Sequence, residues 1–140
     1  MIIDKLVVRF KDKTLIKGMA KDFSFYKSYF TMKLLDGEEV KVKVDMMKAA
    51  FIVKSFAGNQ NYKYKYEDNI PYAGPKVKVE FIDGEIMIGY NVYDIYGPYG
   101  FFMQPADLQG NNKCVFVVAS SIRELTMLED GIEISRIHNL

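Results

Sequence analysis

The sequence is 140 residues long, 49% hydrophobic and 26% charged, a balance with enough apolar surface to offset the entropy of ordering, which excludes a disordered chain. That length allows one domain of ordinary size or two units of about 60 residues, near the lower limit of independent stability. The net charge of +1 hides an asymmetry: residues 1–70 carry 14 Lys and Arg against 9 Asp and Glu, net +5, whereas residues 71–140 carry 5 against 9, net −4. Opposite charges either hold the halves together, give each its own partner, or reflect lysines coating a solvated face.

The N-terminus, Met1 to Asp4, lacks a basic stretch followed by an apolar core. The longest apolar run, Cys114 to Ala119, is far shorter than the about 20 residues of a membrane helix. The sequence therefore reads as a soluble cytoplasmic protein with no membrane partner. Leu6, Val8 and Phe10 alternate as in a half-buried strand, and Gly18 lies inside the next apolar stretch, where a small barrel would bend. Asp36-Gly37 is a hairpin signal, read as a two-residue primed turn. Val40, Val42 and Val44 alternate again, and Asp45 to Lys48 reads as a single helical turn. The segment 59–75 is rich in Tyr and Lys. Beyond it Asp83-Gly84 gives another hairpin signal, Gly89 another strand glycine, Ser120 to Arg123 another helical turn, and Asp130-Gly131 a C-terminal hairpin.

These features repeat. Phe10, Asp12, Leu15 and Gly18 match Phe81, Asp83, Ile86 and Gly89 at an offset of 71 residues; Asp22-Phe23 and Tyr29-Phe30 match Asp94-Ile95 and Phe101-Phe102 at 72; Val40, Val42, Val44 and Lys48 match Val115, Val117, Ala119 and Arg123 at 75. A period of domain size signals duplication. The predicted fold is all-β: two tandem small SH3-like or Sm-like barrels related by internal duplication. The first spans residues 1–58, a linker 59–75, and the second, with a C-terminal hairpin, 76–140.

Three stretches carry a more specific resemblance: Val7 to Asp12, Phe51 to Asn59, and Phe101 to Val118. They are similar to an uncharacterised bacterial domain family of the duplicated-barrel DUF6982 type, over most of residues 5–127. Lys13 stands where that pattern has Gly. The resemblance implies the fold and lends no activity, cofactor or metal.

No constellation for enzyme chemistry stands out. His138 is the only histidine and lies on the C-terminal tail, a poor place for a catalytic base. One His and one Cys fall short of a zinc ligand set, and Gly97 to Gly100 lacks the strand-to-helix setting of a phosphate loop. Cys114, in an apolar run, reads as a buried small hydrophobe. Asp22 to Lys27 resembles half of the cyclic-dinucleotide pattern of PilZ barrels, but Lys27 replaces its glycine and the upstream arginine pair is missing, so it reads as a capped loop. No catalytic residue, cofactor or metal is predicted.

The candidate binding surface is Tyr62, Lys63, Tyr64, Lys65 and Tyr66, extended by Tyr93, Tyr96 and Tyr99. Rings on one face and ammonium groups on the other suit single-stranded nucleic acid, but the same pattern suits tyrosines packed across a seam between repeats. The expected function is a non-enzymatic binding or regulatory module for a protein or small ligand. The alternative is an Sm-like protein that binds single-stranded RNA.

Overall fold

The computed structural model describes the chain except residues 25, 58–73, 93–95, 108–109, 130–131 and 139–140; for residues 129 and 132–138 only the backbone is described. The linker tyrosines and Tyr93 therefore lie outside the described residues.

The fold is all-β, as the period-two patterning predicts. Strands β1 (Ile3–Phe10), β2 (Leu15–Ala20), β3 (Tyr29–Leu34) and β4 (Glu39–Lys43) lead through one 3-10 turn (Val44–Met46) into β5 (Met47–Val53). Strands β6 (Lys76–Phe81), β7 (Ile86–Asn91), β8 (Gly100–Pro105) and β9 (Asn112–Val118) lead through a second 3-10 turn (Ala119–Ser121) into β10 (Ile122–Glu129), and β11 (Ile132–His138) follows. The two predicted helical turns fall at these 3-10 turns, which start one residue earlier and end two residues earlier, so that Lys48 and Arg123 belong to the strands that follow. Every pairing is antiparallel, in the order β11-β10-β6-β7-β8-β9-β5-β1-β2-β3-β4. The expected separate closed barrels are not what these hydrogen bonds describe. They run through one open sheet, because β9 pairs with β5 and joins the halves.

Within this sheet β5-β1-β2-β3-β4 and β10-β6-β7-β8-β9 follow the same internal order, each with its 3-10 turn before the fifth strand. Both fifth strands carry a bulge at the same place: the register with β1 slips at Lys48, and the register with β6 slips at Arg123. A bulge leaves one residue unpaired and re-aims its side chain.

Two large hydrophobic cores result, beside a small cluster of Tyr90 and Ala106 with Ile88 packed on it, and the strands at the junction serve both large cores. Alternate residues of β9 point opposite ways: Phe116 and Val118 enter the core of the first half, Val115 and Val117 that of the second. Phe102 on β8 joins the first core while Phe101 and Met103 join the second, and on β5 Ala50 and Ala49 divide likewise. This explains the unbroken run from Cys114 to Ala119, since a strand buried on both faces has no solvated side to leave polar. The first core centres on Phe23, whose ring lies 4.9 Å from Phe30, 5.1 Å from Phe116 and 5.7 Å from Phe102.

Three turns are built alike. The amides of Phe10, Leu34 and Phe81 donate to the carbonyls of Thr14, Glu38 and Glu85, and the aspartate in each turn accepts the amide two residues on. Only the residue after the aspartate has positive φ: Gly37 at 90°, Gly84 at 91° and Lys13 at 75°. These hydrogen bonds close three-residue loops ending in a left-handed residue, and not the two-residue primed turns expected. Gly18 and Gly89 are required for a different reason. A Cβ on either would overlap a carbonyl oxygen of the neighbouring strand, that of Lys33 or of Gln104.

Two stability changes follow. Gly89→Ala should destabilise by at least about 1 kcal/mol, since backbone must move to admit the methyl group. Lys13→Gly should raise stability by up to about 1 kcal/mol, because it removes a left-handed lysine at the modest entropic cost of a glycine. Denaturant titration of both variants checks the opposite signs.

Candidate groove between the halves

In β1, β2 and β7 the apolar pattern is not confined to one face. Leu6 and Val8 are buried in the first core, yet Val7 between them is also apolar; Leu15 and Ile16 are adjacent, as are Ile86, Met87 and Ile88. The second set faces away from the cores and lines a groove of about 430 Å³ between the halves. Val7, Leu15 and Lys17 form the wall of the first half, Ile86, Ile88 and Pro105 that of the second, with Phe51, Val53 and Phe56 between them. Leu15 and Ile86 remain 43% and 50% exposed, so the groove presents apolar surface to solvent.

The chain leaving β5 is pinned beside the groove. Asn111 accepts the Ser55 amide at 3.1 Å and donates to the Ser55 carbonyl at 2.9 Å, while the Lys54 amide donates to the Asn111 carbonyl at 2.8 Å. Lys17 Nζ donates to the Phe56 carbonyl at 3.0 Å. Arg9 also lines the groove, and its Nε is enclosed without a hydrogen-bond partner among the described residues.

At one end of the groove a buried lysine ties the halves together. Lys48, the bulge residue of β5, reaches Asp83 at 2.7 Å and Glu85 at 2.8 Å on the β6–β7 turn, with its ammonium 4.6 Å from the centre of the Phe81 ring. The Lys48 carbonyl accepts from Ser121 Oγ at 2.7 Å. The Lys48 ammonium, and next the Glu85 amide, hold the Asp83 carboxyl below its ordinary value of 3.8. A lysine this buried depends on such partners, because an unpaired charge out of water is costly.

Of the surface expected from the sequence, Tyr96 and Tyr99 are described. Tyr96 lies against the second core, its ring 5.1 Å from Phe101 and its hydroxyl 3.6 Å from Met127 Sδ. Tyr99 packs on the first core, and its carbonyl accepts the Ala119 amide. Neither lines the groove. Cys114 packs against the first core, where burial pushes its thiol up to about 11, so it stays protonated at neutral pH. In the Asp22 to Lys27 loop Asp22 accepts the Thr31 amide of β3 and Ser24 accepts the Tyr26 amide, so both polar side chains bond to nearby backbone. His138 pairs through its backbone with Glu124. Among the described residues no three His, Cys, Asp or Glu side chains converge as a metal site, and no helix is long and apolar enough to cross a membrane.

The sequence profile of DUF6982, a family of unknown function, matches residues 3–129. The chain belongs to that family. No curated protein and no solved structure matches it.

Because the Asp83 carboxyl is held below 3.8 in the folded protein, its charge stabilises the fold above the unfolded value, and that contribution disappears as pH falls through the lower folded value. Asp83→Asn keeps an oxygen for the Glu85 amide and removes only the charge. The gap in melting temperature between parent and variant should be constant above about pH 5 and close on acidification. A gap independent of pH down to acid conditions would mean that Asp83 contributes shape and not charge.

Proposed function

We propose that the protein is a non-catalytic binding module made of two tandem copies of one small SH3-like or Sm-like barrel unit, and that its ligand site is the groove between them. Support for the duplication comes from the shared strand order, the matching 3-10 turns and the bulges at Lys48 and Arg123. A bacterial, cytoplasmic setting belongs to the same reading and rests on the family resemblance and on the single cysteine.

The groove carries the functional part of the proposal. Its volume of about 430 Å³ lies in the range of small-ligand sites, which are lined mainly by apolar side chains with a few polar groups that set orientation. Among the side chains that line it, Val7, Leu15, Ile86 and Ile88 are apolar where solvated strand faces usually carry polar residues, and Arg9 and Lys17 supply charge beside them. The groove thus fits a small ligand better than an extended protein surface.

Leu15 and Ile86 both line the groove and pack in neither core. Leu15→Glu and Ile86→Glu should each leave the unfolding midpoint nearly unchanged, within about 0.5 kcal/mol, as substitutions at exposed positions do. Both should abolish the amide shifts that small apolar probes produce around Val7, Lys17 and Ile88 in heteronuclear NMR spectra. If such probes bind elsewhere, or RNA oligonucleotides shift the lysine-bearing strands β3 and β4 in a salt-dependent way, the Sm-like RNA-binding alternative replaces this reading.

A further inference from the structure

We propose that the groove takes a small amphiphilic carboxylic acid, its apolar body lying on Leu15, Ile86 and Phe51 and its carboxylate on Arg9. The inference rests on the reading of the groove as the ligand site and adds the chemical class of ligand.

The argument begins with a difference between matching positions. Arg9 in β1 corresponds to Glu80 in β6, and Lys48 in β5 to Arg123 in β10. In the second half these residues satisfy each other, Arg123 meeting Glu80 at 3.3 Å. In the first half both positions are cationic, so the equivalent pair cannot form. Lys48 turns instead to Asp83 and Glu85. That leaves Arg9 in the groove wall with no carboxylate to bind and with its enclosed Nε unpartnered among the described residues.

The other charged groups on the groove are already engaged. Glu85 is held by Lys48, Lys17 donates to the Phe56 carbonyl, and Asp107 is buried with interactions of its own. The unmet electrostatic demand of the site is thus for one anion beside Arg9. A guanidinium binds carboxylate through two parallel N–H donors, a geometry an ammonium cannot reproduce. Water satisfies such a group poorly where apolar side chains surround it, so an anion that brings its own apolar body fits both features of the site together.

The test uses the unaltered protein first. Octanoate, octanol and octylamine are titrated separately and followed by amide chemical shifts. Octanoate should bind in the groove, roughly ten- to a hundredfold more tightly than octanol, the effect of a charge-assisted hydrogen-bond pair, and octylamine should bind most weakly. Arg9→Gln should bring octanoate down to the level of octanol, and Arg9→Lys should recover only part of the difference. Equal affinity for octanoate and octanol overturns the carboxylate assignment while leaving the groove as the site. Absence of groove shifts with all three probes overturns the reading of the groove itself. A short apolar peptide that binds through its free C-terminal carboxylate while octanoate does not would replace the small acid with a protein tail.

Discussion

The antiparallel pairing of β5 with β9 is the contact on which the rest of the molecule depends. It places a fully buried strand between two cores, and the pleat sends alternate side chains of β9 into each. Neither core is complete from its own half. The first needs Phe102 and Phe116 to surround Phe23, and the second takes Ala49 from the first half. Each half is also small for independent stability, and a shared wall lets both bury more apolar surface than either would alone.

The same junction explains how the sheet ends. In the second half β9 is covered by β5, whereas its counterpart in the first half, β4, is an edge. Strand β4 carries Lys41 and Lys43 on its exposed face, and charged edge strands resist pairing with other chains. At the opposite end β10 corresponds to β5, and β11 covers it as β9 covers β5. The extra C-terminal strand therefore has a clear physical role: it occupies the edge that a further half would otherwise fill.

Much of the fold was legible because period-two patterning and turn glycines act locally. Leu6, Val8 and Phe10, and Val40, Val42 and Val44, announced strands with one buried face, and Asp36-Gly37 and Asp83-Gly84 announced the turns. What sequence could not supply was the pairing of β5 with β9, because the interaction joins residues 59 to 68 apart and depends on both faces of β9 being apolar. The tyrosine-rich segment drew attention as the most distinctive stretch, whereas the groove is made of ordinary residues. Its only local trace was the departure from alternation at Val7, Leu15 and Ile88. Lys48 is legible in sequence only as the end of a helical turn and the match of Arg123; the bulge is what turns it toward Asp83 and Glu85.

The pattern of agreement between the halves separates what the backbone demands from what the surface is free to change. Phe10 and Phe81, Asp12 and Asp83, and Gly18 and Gly89 agree because they occupy a core, a turn and a close strand approach that both halves share. Val7 and Lys78, Arg9 and Glu80, and Lys17 and Ile88 disagree, and in each pair a member lines the groove. No requirement of folding makes these positions differ, since either half tolerates its own choice. The differences lie in the groove, so the groove is the surface on which two halves of the same strand order differ in side-chain chemistry. That distinction leaves Arg9, among the described residues, without the partner its counterpart has, and its Nε enclosed without a hydrogen bond in the groove wall.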